Sequence, residues 1–356
     1  MFLLCLALFS AAGQDLYWED PEVLVGENAR FPVAVEGGGV SAVIWQEITS
    51  VGDETGTVDI YAVSRRNTRE WSGRVKVGDT YTFTGKEVPV FSACINNNGN
   101  IFVSVRNATE NIDIFRSVDG GQTFSLTGSV FSFSTTVAPR IYAKDDGGLI
   151  LFVIRETVTV ELGDTLEIYY TISEDGREWT NVEPLVRGEE KKLNFLPYHT
   201  SHRGKEYVAF QILETGERPS YQVYITISED GGRNFSEPVW LSDFSELLDG
   251  EEQEPQFFDN QRPYLLGLNG TLAMVWERRY SGANPQIYYM ELDTDGRMLG
   301  DPEPITTGMR SCNFPRMFSV DGQTYVTWFD DRAGNDHIIL AYKDGVFWRD
   351  RDITRI

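Results

Sequence analysis

The sequence predicts an all-β protein, a six-bladed β-propeller of four-stranded antiparallel blades. Three observations predict it. A short strand-like segment recurs six times along the 356 residues. Each copy sits among three further strand-like segments in a unit too small to bury its own apolar faces. A Ser-x-Asp-x-Gly turn pattern follows several copies at the same place in the unit.

The recurring segment reads Val58-Asp59-Ile60-Tyr61, Ile112-Asp113-Ile114-Phe115 and Leu166-Glu167-Ile168-Tyr169. It returns as Tyr221-Gln222-Val223-Tyr224, Pro285-Gln286-Ile287-Tyr288 and Asp336-His337-Ile338-Ile339. The central aliphatic residue falls at 60, 114, 168, 223, 287 and 338, in steps of 54, 54, 55, 64 and 51. Each copy continues in alternation of apolar and polar residues, the period of a strand.

Taken in order, residues 1–13 are expected to be a secretory signal. Phe2 to Phe9 form an apolar run, and Ser10-Ala11-Ala12-Gly13 offers small residues for cleavage; the alternative is a short buried strand. Residues 14–356 form one propeller domain, with blades over 26–80, 81–130, 131–188, 189–245, 246–307 and 308–356. Second strands precede the recurring copy, as in Val43-Ile44-Trp45-Gln46-Glu47, Ala273-Met274-Val275-Trp276-Glu277 and Tyr325-Val326-Thr327-Trp328-Phe329. A proline precedes or starts each first strand, at 32, 89, 139, 197, 255 and 315, and fourth strands resemble Glu237-Pro238-Val239-Trp240-Leu241. Both 17–25 and Phe347 to Ile356 look like fourth strands, so 17–25 is expected as an extra edge strand or one that closes the ring. A stacked solenoid is the competing architecture, and it would need polar capping repeats that the sequence does not display.

The turn after the third strand is most complete in Ser117-Val118-Asp119-Gly120-Gly121-Gln122-Thr123-Phe124. Ser228-Glu229-Asp230-Gly231-Gly232-Arg233-Asn234-Phe235 carries Asn for Thr, and Ser173-Glu174-Asp175-Gly176-Arg177-Glu178-Trp179 is one residue shorter. Degenerate copies stand at Ser64 to Trp71 and at Asp293-Thr294-Asp295-Gly296. The Asp carboxylate can accept backbone N–H bonds across such a turn, Gly supplies positive φ, and the aromatic residue folds under the hairpin. These residues are expected to fasten the fold, not to catalyse.

Composition narrows the function. Asp plus Glu number 54 against 31 Lys plus Arg, a net charge of −23. That field repels nucleic-acid phosphates and anionic lipid, so neither is the expected partner. Beyond the first residues, no run approaches the ~20 apolar residues of a spanning helix. Cys94 and Cys312 lack metal-ligand spacing and are expected as free, buried thiols, with one disulfide as the alternative. His199, His202 and His337 form no metal or triad pattern, and no Gly-rich loop precedes a helix. No metal and no cofactor is expected.

The turn pattern is the Asp-box. Asp-boxes on a six-fold repeat resemble the sialidase-like (neuraminidase superfamily) BNR-repeat β-propellers over 17–356, and are also similar to non-catalytic Asp-box propellers. The sialidase resemblance implies a Tyr nucleophile assisted by Glu, an Asp acid/base and three Arg that clamp a carboxylate. Arg30-Phe31-Pro32 resembles the family's Arg-Ile-Pro signature, which makes Arg30 the first clamp, and Asp53 falls near the acid/base position. The other positions depart from the pattern. Leu193-Asn194-Phe195-Leu196-Pro197-Tyr198 contains no acid, and Gln211 stands where the second Arg is expected. Glu254-Pro255-Gln256-Phe257 holds the place of the third Arg, and Asn313-Phe314-Pro315-Arg316 that of the Tyr.

Arg106, Arg155, Arg278 and Arg332 follow second strands and so recur at one level of the ring. They are expected either to bind a ligand on that rim or to link neighbouring blades by ion pairs. The expected function is a secreted or periplasmic, cell-envelope propeller that binds a glycan or an extracellular protein without catalysis. The alternative is a divergent sialidase-type exo-glycosidase using Arg30 and Asp53.

Overall fold

The computed structural model describes residues 28–354 apart from 53–54, 68–69, 85–88, 108–110, 132, 134–136, 160–162, 187–191, 215–217, 249, 332–336 and 345–346, together with 7–8 and 17–18. Six antiparallel four-stranded sheets follow one another along the chain, and no α-helix occurs among the described residues. Sheet I comprises Ala29–Gly37, Val40–Val51, Thr55–Arg66 and Val75–Thr84. Sheet II comprises Phe91–Ile95, Ile101–Arg106, Asn111–Ser117 and Ser125–Phe131. Sheet III comprises Arg140–Ala143, Leu149–Thr159, Gly163–Ser173 and Glu183–Val186.

Sheet IV comprises Lys192–His202, Lys205–Glu214, Ser220–Ser228 and Val239–Trp240. One parallel pairing, Leu166 with Leu193, ties it to sheet III. A small ribbon, Glu246–Leu248 with Glu251–Gln253, and a 3-10 turn, Pro255–Phe257, lead into sheet V. Sheet V comprises Phe258–Gly267, Leu272–Tyr280, Gln286–Leu292 and Glu303–Pro304. Sheet VI comprises Cys312–Val320, Gln323–Asp330, His337–Asp344 and Phe347–Asp352.

The core lies between the sheets. Successive second strands are apolar on both faces because each is covered from both sides. In sheet II, Ile101, Val103 and Val105 pack on sheet I, while Phe102 packs on Ile141, Leu149 and Leu151 of sheet III. The same interleaving gives five apolar interfaces, I on II through V on VI. First strands of successive sheets lie side by side, so the arrangement is propeller-like. A small cluster of Ala29, Val43, Trp45 and Val63 sits on the other face of sheet I.

Pro255 precedes the first strand of sheet V from within the 3-10 turn, whereas Pro263, inside Phe258–Gly267, holds the bulge place that Pro32, Pro197 and Pro315 hold in their strands. Phe347–Asp352 takes the fourth place in sheet VI by pairing with His337–Asp344. Tyr17–Trp18 pairs with Ala7–Leu8, and the rest of 17–25 lies outside the described residues. Cys94 and Cys312 are buried thiols that form no disulfide among the described residues.

The Ser-x-Asp turns join third to fourth strands. Asp119 Oδ1 accepts from the N–H groups of Gln122 and Thr123 at 3.0 Å each, and from Ser117 Oγ at 2.7 Å; its Oδ2 accepts from Thr123 Oγ1 at 2.6 Å. Asp230 repeats this with Arg233, Asn234 and Ser228. In the shorter copy Asp175 accepts from Arg177 N–H, and Ser173 Oγ from Gly176 N–H. Each turn seats on the preceding sheet. A Cβ at Gly121, where φ is +90°, would lie 2.6 Å from Ser64 Oγ, and one at Gly176 would lie 2.9 Å from the Phe102 ring. Gly232 faces Ile172 likewise, and Phe124, Trp179 and Phe235 pack into the adjoining apolar clusters.

Candidate functional site

Four first strands carry the same irregularity. At Phe31-Pro32, Leu196-Pro197, Arg262-Pro263 and Phe314-Pro315 the pairing register slips, so that two residues face one on the second strand. The single facing residue is a large ring each time: Trp45, Phe210, Trp276 and Trp328. Proline cannot donate to the ladder, and the bulge absorbs that lost donor. The residue before it takes φ of 51°, 49°, 53° and 57° respectively. Left-handed backbone at a bulky side chain costs about 1–3 kcal/mol and clusters where a structure needs a side chain re-aimed.

Three of these bulges precede side chains that, with Tyr142, form a row along the first strands. Tyr142 of sheet III packs edge-on to Tyr198 of sheet IV at 5.4 Å between ring centroids. Tyr198 lies 4.1 Å from the ring of Tyr264 in sheet V, and the Arg316 guanidinium of sheet VI sits 5.4 Å over that ring. Tyr198, Tyr264 and Arg316 each directly follow a bulge proline. Tyr142 and Tyr198 lie deep among protein atoms yet keep part of their surface accessible. Burial pushes the Tyr142 phenol up to about 12, against the opposing charges of Arg140 and Arg316, and pushes Tyr198 well above its ordinary value. Both hydroxyls are therefore neutral at physiological pH and serve as hydrogen-bonding groups. Tyr142 donates to the Pro197 carbonyl at 3.0 Å.

Buried polar side chains clamp two of the four bulges, those of sheets V and VI, to the sheet before. Gln211 Oε1 accepts from Arg262 N–H at 2.8 Å, and Glu277 Oε1 accepts from Phe314 N–H at 2.6 Å. Gln46, at the matching place in sheet I, accepts from Val90 N–H at 3.1 Å. Glu277 is also ion-paired with Arg262, whose guanidinium lies 4.4 Å over the Phe314 ring. Burial pushes the Glu277 carboxyl up, partly offset by Arg262 and the Phe314 N–H. Phe31, Phe314 and Phe329 leave more than a third of their surface exposed at this level of the molecule.

The residues singled out from sequence fall in different places. Arg30 directly precedes the first bulge and donates to the Ala29 carbonyl at 3.0 Å. Asp53 and Arg332 lie outside the described residues. Arg106 ends its strand half-buried, and burial lowers its pKa. Arg155 pairs with Glu167 at 3.6 Å and donates to the Tyr169 hydroxyl at 3.2 Å. Arg278 is 1% exposed, held between the rings of Phe244 and Phe258 at 4.0 and 3.8 Å, with Glu246 at 2.8 Å. Its guanidinium is spent on joining the ribbon to sheet V. The row itself, Tyr142, Tyr198, Tyr264 and Arg316 with Arg140 and Arg262 beside it, was not among the residues selected from sequence. The recurrence of Pro followed by Tyr or Arg at 139, 197, 263 and 315 is the signal, and taking Pro255 for Pro263 hid it.

No protein-family profile matches the chain, and no curated protein matches it. Among solved structures, it is similar to a protein of unknown function from Dyadobacter fermentans at 13% identity and a TM-score of 0.57, covering 87% of this chain and 93% of that one. It also matches an alpha-L-arabinanase of Penicillium chrysogenum complexed with arabinobiose (14% identity, 72% and 89% covered, TM-score 0.49). A GH93 alpha-L-arabinofuranosidase of Fusarium graminearum with arabinobiose matches at 14% identity, 74% and 80% covered, TM-score 0.47. At these identities the likeness is one of fold.

Proposed function

We propose that this chain is a secreted glycan-binding Asp-box propeller, in which the six sheets close around one axis and the ligand lies along the Tyr142–Tyr198–Tyr264–Arg316 row. The observation that carries this reading is the row itself: phenol rings graded into an arginine, three of its four members set directly after strained bulges. Flat rings stack on sugar faces, phenol hydroxyls exchange hydrogen bonds with sugar hydroxyls, and a guanidinium takes a carboxylate or hydroxyl pair. Binding without catalysis is favoured because Glu277, a buried carboxylate on which Arg316 of the row acts, has one oxygen on Arg262 and the other on the Phe314 N–H. Calorimetric titration with sialyllactose and with arabino-oligosaccharides tests the reading. Arg316→Ala and Tyr264→Ala are expected to weaken binding at least tenfold while the melting profile is retained; unchanged affinity would remove the row from consideration.

A second reading, a sialidase-type exo-glycosidase, is favoured by one observation. Arg140 and Arg316 both act electrostatically on Tyr142, and Arg262 and Arg316 both act on Glu277, so three arginines converge near tyrosines. Turnover of a fluorogenic sialoside that is abolished by Tyr264→Phe would establish it in place of the binding reading.

A further inference from the structure

Sheets V and VI are built on the same plan, and one difference between them opens a cavity. In sheet V, Trp276 faces the bulge and donates its indole N–H to Asn260 Oδ1 at 2.9 Å. Asn260 pairs with Arg278, two residues beyond that tryptophan, and also accepts from its guanidinium at 3.0 Å. In sheet VI, Trp328 faces the bulge, and the residue paired two positions beyond it, with Asp330, is Cys312. Cysteine thus replaces the acceptor, and aspartate replaces the long arginine that plugs the space in sheet V. The Trp328 indole nitrogen is buried with no hydrogen-bond partner, and so is that of Trp348 on the outer strand.

Both tryptophans line a cavity of about 220 Å³ between the sheets. Its floor is Cys312, Trp328 and Asp330, and its mouth carries Asp350 and Arg310, both exposed. Asp330 and Asp350 also engage other residues of the chain. A volume of that size is the space of about seven waters, and a single sugar ring fills it. The wall chemistry selects the ligand class. Indole N–H groups need acceptors and carboxylates need donors, and a hydroxyl is both at once. A purely anionic ligand would meet Asp330, and a purely cationic one would leave both indole N–H groups unpaired.

The geometry points to a second binding site, a flank pocket between sheets V and VI that takes one neutral, polyhydroxylated sugar ring against Trp328 and Trp348. It is separate from the axial row, which contains no tryptophan, and it does not depend on what that row binds.

Indole ¹⁵N resonances of the eight tryptophans offer the readout. The whole chain is titrated with L-arabinose, D-galactose and N-acetyl-D-glucosamine, and separately with methylguanidinium chloride and sodium acetate. At least one neutral sugar is expected to move the Trp328 and Trp348 signals saturably, and the two ions are expected not to. Cys312→Asn, which restores the sheet V acceptor and fills the space, is expected to abolish that shift without lowering the melting temperature. Trp348→Phe keeps an aromatic face but removes the indole N–H, and should weaken binding roughly fivefold. Absence of a saturable shift with every sugar, saturation by methylguanidinium alone, or unchanged binding in both variants would overturn the assignment.

Discussion

Glu277 gives the sharpest test of how the bulges are held. Its side chain is 4% exposed, and its two oxygens serve the Phe314 N–H and Arg262. Replacing it with alanine leaves a buried N–H without an acceptor, at about 1–3 kcal/mol, and removes packed methylenes, so a total of about 2–4 kcal/mol is expected. Glutamine should behave differently, because Gln211 and Gln46 already do this task at matching places in sheets IV and I. It keeps the acceptor, and Arg262, about a third exposed, can turn to water. Glu277→Gln should therefore stay within about 1 kcal/mol of wild type at neutral pH.

The pH dependence follows with a definite sign. Burial raises the folded-state pKa of Glu277 above its unfolded value. A raised acid contributes stability that is fully present below the unfolded pKa, about 4.3, and is lost as pH rises through the folded one. Urea unfolding from pH 4 to 7 should therefore show wild type losing ground to Glu277→Gln as pH rises. Equal damage from glutamine and alanine at pH 7, or a growing deficit of the glutamine variant with pH, would refute the view that Glu277 acts chiefly as an acceptor for the bulge.

Three further outcomes are expected. Both Asp119 and Asp230 are held at about 2, Asp119 with burial opposing its hydrogen bonds and Asp230 by its bonds from Asn234. Stability from these depressed carboxyls is present above about pH 4 and lost as pH falls toward 2, so Asp119→Asn should raise the midpoint of acid unfolding followed by near-UV circular dichroism. Phe102→Ala should cost about 3–5 kcal/mol in urea titration, since the ring is 1% exposed and seats the Gly176 turn as well as sheet III. Cys94, whose thiol is pushed up by burial, and Cys312 should react with a thiol reagent only on the timescale of unfolding, and prompt reaction in native buffer would contradict their burial.

Much of the scaffold was legible because strand alternation and turn chemistry are local. The third strands recur near the predicted steps, and Ser117 with Asp119 and Ser228 with Asp230 make the turn bonds that their residue types imply. The row was less legible. Pro263 and Pro255 are equal as letters, and only the pairing of Gln261 with Glu277 and of Tyr264 with Val275, which leaves Pro263 opposite Trp276, distinguishes the strand proline from the turn proline. Arg278 shows the same limit: its place after a second strand suggested a rim, whereas packing between Phe244 and Phe258 buries it.

Periodicity by itself determined that this chain must be all-β and repetitive, because a four-stranded unit of this length exposes two apolar faces until a neighbour covers each. The tertiary structure alone decided which side chains meet. Tyr142, Tyr198, Tyr264 and Arg316 are separated by 56, 66 and 52 residues, and their contact depends on how three slipped first strands and one regular one are stacked. A slip of one residue turns a side chain to the other face of its strand, and that choice is made by packing between sheets.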